Sequence, residues 1–116
     1  MYTNIYFYLI NKDNIDKFVE LKQRMAEIVM GYGALEDHTY VTETIDGYFD
    51  CDHLISLLKV RPGEKVLLGQ TLFRNYSHCQ EVMEKVEKDE EIIQLTQGIE
   101  RILDQNKVIT ASFACE

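Results

Sequence analysis

The hydrophobic period of this chain switches between two residues and about 3.6 in one particular order, and that order limits the fold more than any single motif. Asn4 to Ile10 alternates and is rich in β-formers, with Ile5, Phe7 and Leu9 on one side and Tyr6, Tyr8 and Ile10 on the other. It is predicted as the first strand. Asn11 to Asn14 is polar, and Asp13 or Asn14 is the candidate cap of the first helix. Ile15, Phe18, Leu21, Met25, Ile28 and Val29 then recur at helical spacing, and Gly31 and Gly33 suit the end of that helix.

Ala34 to Thr44 is predicted as a second strand of weak alternation, Leu35, Asp37, Thr39 and Val41 opposing Glu36, His38, Tyr40 and Thr42. Asp46-Gly47 is a turn signal, and Tyr48 to Lys59 reads as a loop with a short helix containing Leu54, Leu57 and Leu58. Arg61-Pro62-Gly63 marks another turn. Glu64 to Phe73 is the third strand, where Val66-Leu67-Leu68 indicates burial on both faces. Ser77 followed by Gln80 has the form of a capping box that opens the second long helix, with Val82, Met83 and Val86 inward. Glu84 to Glu91 reads as a solvated helix face and linker. Ile92 to Leu103 reads as one or two short helical turns interrupted near Gly98, and Lys107 to Ala114 as the last strand.

Strand, helix, strand, strand, helix, strand is the split βαβ order. It predicts a single α+β domain over residues 1–116, a ferredoxin-like βαββαβ fold with one four-stranded antiparallel sheet and the helices on one face. The other face then needs a cover, and a second copy related by a two-fold axis is the expected one, giving a homodimer. A net charge of -8 argues against nucleic acid and against an anionic membrane surface. No apolar run approaches the length of a membrane span, and no signal-peptide pattern is visible. The three cysteines, Cys51, Cys79 and Cys115, are widely spaced, which suits a reducing cytoplasm better than a disulfide framework.

His38 and Tyr40 lie two apart on a strand, as do Tyr6 and Tyr8. If the two strands face one space, these side chains form a cluster for a small aromatic or quinone-like ligand, with His38 as a general base. The competing reading is that the tyrosines bury their rings at a dimer contact. Arg74 and Arg61 are candidates to hold an anion at the sheet edge, or else solvated arginines near turns. Cys51 with His53, and His78 with Cys79, are zinc-type residues without zinc spacing, so no metal is expected. Cys79 near a helix start lacks a partner that would make it a nucleophile. No Gly-rich phosphate loop, GxSxG or HExxH is present, and no cofactor is expected.

Tyr32-Gly33-Ala34-Leu35 after the first helix resembles the "GAL" segment of a YbaA-like domain of unknown function. The likeness continues through Asp46-Gly47, Lys59 and the strand Glu64 to Phe73, then Asp89, Asp104 and the strand Lys107 to Phe113. The resemblance implies the dimeric α/β-barrel superfamily, in which two sheets form a barrel, and implies no established reaction. Gln70 stands where that family tends to carry a Trp, which makes Gln70 a candidate ligand-binding position. The family's acidic-proline segment is Lys88-Asp89-Glu90-Glu91 here, and a glycine-containing segment near the end becomes Thr110-Ala111-Ser112. The absence of Trp also argues against the haem-degrading relatives. The expected function is therefore a small homodimeric barrel protein that binds a small hydrophobic or aromatic molecule. The alternatives are a cofactor-independent monooxygenase or isomerase, and a purely structural dimer.

Overall fold

The computed structural model describes residues 1–43, 54–103 and 107–115. The turn at Asp46-Gly47 and the residues Cys51, His53 and Asp104 lie outside the described residues. The elements in chain order are β1 (Tyr2–Asn11), a 3-10 turn (Lys12–Asn14), α1 (Ile15–Gly31), β2 (Glu36–Val41), α2 (Leu54–Leu58), β3 (Glu64–Phe73), α3 (Tyr76–Glu87), α4 (Glu90–Glu100) and β4 (Val108–Ala114). The strands form one sheet in the order β2-β3-β1-β4, with every neighbouring pair antiparallel. This is the ferredoxin-like α+β arrangement that the order of periods predicts.

The apolar stripe of α1 is what closes the core. Phe18 is fully buried and its ring lies 4.8 Å from that of Tyr8. Tyr8, Ile10, Phe18, Leu67 and Leu103 make one cluster, while Val29, Ala34, Phe73, Cys79, Val82, Val86 and Ile92 make a second. Burying a side chain such as Phe18 contributes about 2 kcal/mol. Strand parity then places the rest. Tyr6 pairs with Gly69, Tyr8 with Leu67 and Asp37 with Thr71, so these residues share the helix-covered face. Ile5, Phe7, Leu9, His38, Tyr40, Gln70, Ile109 and Phe113 point to the other face.

That other face is half sheltered. Leu57 and Leu58 of α2 line a recess with Leu9 and Ile109, and Leu9 and Val66 at that end are buried. On the same face Phe113, toward the opposite end, is 57% exposed, and Tyr40, on the edge strand β2, is 51% exposed.

Three local expectations change. The cap of α3 is Asn75 and not Ser77: Asn75 is extended and its Oδ1 accepts from the His78 amide at 2.8 Å, so Ser77 already lies in the first turn. Asn11 caps the 3-10 turn by accepting from the Asp13 amide at 2.9 Å, and Asn14, which precedes α1, makes no side-chain cap bond. Helix α4 runs unbroken through Gly98, which packs beside Leu21 of α1; a Cβ there would make only an ordinary contact, 3.5 Å from Leu21 Cδ1. Asp89 caps that helix through the Ile92 amide, so the acidic stretch divides two helices. Beyond Gly31, Gly33 takes φ +122°, a backbone conformation that leads the chain from α1 into β2 and favours glycine.

Candidate functional site

A cavity of about 660 Å³ lies between the covered face of the sheet and helices α1, α3 and α4. Its sheet-side lining is polar: Asn4, Tyr6 and Tyr8 from β1, Asp37 from β2 and Thr71 from β3. Lys22 enters from α1. Met25, Val29, Met83, Val86, Ile92 and Ile93 make the apolar walls. An apolar cavity with a few convergent polar groups is the usual form of a small-molecule site.

Local structure sets each of these groups. Tyr6 and Tyr8 are two apart on β1, so their rings stand on one face, 6.0 Å between centroids and 15° from parallel. Gly69 leaves the room this needs: a Cβ there would lie 3.0 Å from Tyr8 Cε2. The Lys22 Nζ sits 5.4 Å from the centroid of the Tyr8 ring and 6.0 Å from that of Tyr6. Thr71 Oγ1 donates to Asp37 Oδ2 at 2.8 Å. Asn4 accepts from Ser112 Oγ at 2.7 Å and donates to Cys79 Sγ at 3.7 Å.

The electrostatics derive from burial. Burial pushes the Lys22 ammonium below its ordinary pKa, opposed by the charge of Asp37. Burial raises the Asp37 carboxyl, opposed by Lys22 and by the Thr71 hydroxyl. The two groups are thus drawn toward their neutral forms, each holding the other back. Burial also raises the hydroxyls of Tyr6 and Tyr8, so both remain protonated donors. Cys79 is pushed up by burial as well, which makes it a packing thiol. The set can receive a polar head group and move a proton at Asp37 or Lys22.

The structure divides the residues singled out from sequence. Tyr6 and Tyr8 line the cavity. His38, Tyr40 and Gln70 stand on the opposite face, where His38 pairs with Gln70 in register and lies 3.5 Å from Glu36. The physical reason is a single-residue step: Thr39 pairs with Gly69, as Tyr6 does, so the neighbouring His38 points away. The four-residue cluster of Tyr6, Tyr8, His38 and Tyr40 therefore does not form within one chain. Arg74 is exposed at the joint between β3 and α3, with its amide donating to His78 Nδ1 at 3.0 Å. Arg61 lines the recess beside α2. Among the described residues no group of three or more His, Cys, Asp or Glu side chains could hold a metal ion.

Lys22, Asp37, Asn4 and Thr71 were not legible as site residues. The signal for Lys22 is its place four residues after Phe18 and seven before Val29, a charge on the buried stripe of α1. The signal for Asp37 is similar, an acid in the row of Leu35, Thr39 and Val41.

Solved structures share this architecture. One titled an antibiotic biosynthesis monooxygenase matches with TM-score 0.65 at 14% identity, over 100% of this chain and 99% of its own. An uncharacterised NIPSNAP domain protein from Burkholderia xenovorans matches with TM-score 0.64 at 14% identity, over 100% of this chain and 95% of its own. A conserved protein from Methanosarcina mazei Go1 gives 0.59 at 8% identity, over 99% and 92%. At such identities the likeness is one of fold. No curated protein matches the chain significantly. Its first 101 residues match the model of DUF1428, described as a protein of unknown function, and the chain belongs to that family.

Proposed function

We propose that this protein binds a small, largely apolar molecule, of about the size of a substituted aromatic ring, in the cavity between sheet and helices. The observation that carries this reading is the 660 Å³ space itself, with apolar walls of Met25, Val29, Met83, Val86, Ile92 and Ile93 and with Lys22, Asp37 and the two tyrosines together. A thermal-shift screen with small aromatic compounds tests it, because a ligand of the folded state raises its stability. Replacing Met83, which lines the cavity, by Trp narrows the space; it is expected to reduce the ligand-induced shift while leaving the protein folded. A shift of unchanged size in Met83→Trp counts against binding at this wall of the cavity.

A second reading, a cofactor-independent monooxygenase or isomerase, is favoured by the raised Asp37 carboxyl beside the cavity. The base in that reading is Asp37 and not His38, which faces away. Loss of turnover in Asp37→Asn but not in His38→Ala supports it, and the reverse result removes it.

We further propose that a second copy covers the exposed part of the open face, where Phe113 and Tyr40 lie. Within its family we place the chain among the YbaA-like proteins, on the Gly33-Ala34-Leu35 segment, and in a reducing cytoplasm that suits the free thiol of Cys79. Among the described residues no helix is long and apolar enough to cross a membrane.

A further inference from the structure

We propose that Lys22 is a covalent site for carbonyl compounds, an amine that forms an imine with an aldehyde or unhindered ketone held in the cavity. The inference rests on the cavity binding small apolar molecules and names their chemical class.

Lys22 differs from the chain's ion-paired lysines. Lys17, Lys88 and Lys107 each lie within 3.8 Å of a carboxylate. Lys22 makes no hydrogen bond or ion pair to any described residue; its Nζ rests over the Tyr6 and Tyr8 rings instead. It reaches the cavity from the buried stripe of α1, between Phe18 and Val29. An amine held in apolar surroundings is the form in which lysine acts as a nucleophile. Burial favours its uncharged state. Asp37 lines the same cavity and is held in place by Thr71, so a proton acceptor and donor is present where the reaction requires one.

The chemistry balances without an oxidant or reductant. The uncharged Lys22 nitrogen attacks the carbonyl carbon with its lone pair, and the carbonyl π electrons move to oxygen, which takes the proton of the Asp37 carboxylic acid. The nitrogen then gives one of its own protons to the Asp37 carboxylate. The carbon–oxygen bond of this carbinolamine then breaks, the oxygen leaving as water with a proton returned from Asp37, and the carbon–nitrogen double bond forms. Met25, Val29 and Ile92 provide the apolar wall for the rest of the molecule.

The test incubates the protein with benzaldehyde, reduces with borohydride, and maps the product by mass spectrometry. The expected result is labelling at Lys22 several-fold faster than at Lys88, and loss of that label in Lys22→Arg and Lys22→Met, whose fold is checked by circular dichroism. Labelling of Lys22 no faster than Lys88 overturns the proposal. Benzyl alcohol, which cannot form an imine, separates the two readings by thermal shift. If it stabilises the protein and Lys22 is not labelled preferentially, the imine fails and the cavity reading stands. If neither compound binds, both fail.

Discussion

Gly69 and Tyr8 are fitted to each other across two strands: the Tyr8 ring occupies the space a side chain at Gly69 would fill, with Cε2 only 3.0 Å from where that Cβ would be. Tyr8 is also packed on Phe18, 4.8 Å away, so it cannot retreat without disturbing the core. Gly69→Ala is expected to cost about 1–3 kcal/mol, as overpacking does. It should also shift the Tyr8 ring over the cavity and weaken ligand binding. Chemical denaturation and ligand titration of the same variant measure both effects; a neutral result in both would show that the strands give way instead.

Lys22 and Asp37 hold each other's charge in the cavity. The Lys22 charge is the largest influence opposing the burial that raises Asp37. In Lys22→Met the Asp37 carboxyl is therefore expected to titrate at a higher pH than in the parent protein. Its raised pKa means that the folded state favours the protonated acid, so this contribution to stability is present below the unfolded pKa and lost as pH rises through the folded one. Glu87 and Glu100 line the same cavity and are the other acids to separate in the spectra. Carboxyl NMR of Asp37 against pH reads the change, and an unmoved titration would show the two groups to be uncoupled.

Asp89 carries the opposite sign. The Tyr32 hydroxyl, donating at 2.6 Å, and then the Ile92 amide hold its carboxyl below the usual carboxylate range. Its contribution is fully present above the unfolded pKa and is lost as pH falls through the lower, folded one. Asp89→Ala should lower the melting temperature at neutral pH and flatten its acid-side decline. Melting curves from neutral to strongly acidic pH measure this, and a variant with the parent's acid slope would exclude the cap from the effect.

Phe113 is 57% exposed on the open face of the sheet, and an exposed ring of this size suits burial by a partner. If a second copy provides that burial, sedimentation velocity should give a dimer for the parent protein and a monomer for Phe113→Asp, with the fold kept. A parent protein that sediments as a monomer at micromolar concentration would remove the dimer.

The order of elements was readable because each signal is local. The alternation of Asn4 to Ile10 yielded β1, the stripe from Ile15 to Val29 yielded α1, and the Val66-Leu67-Leu68 run marked a strand with both faces engaged. Capping was less readable. Asn75 and Ser77 both have the chemistry of a cap, and the extended backbone at Asn75, set by the end of β3, decided between them.

By itself the sequence determined which residues share a side of each strand and helix, since that depends only on period. It left open which side meets the helices and which residue of one strand lies opposite which residue of the next. Those depend on register and on where the apolar stripe of α1 docks, and a shift of one position exchanges the faces. Only the tertiary structure therefore separated His38 and Tyr40 from Tyr6 and Tyr8, and brought Lys22 and Asp37, 15 positions apart in the chain, to one cavity.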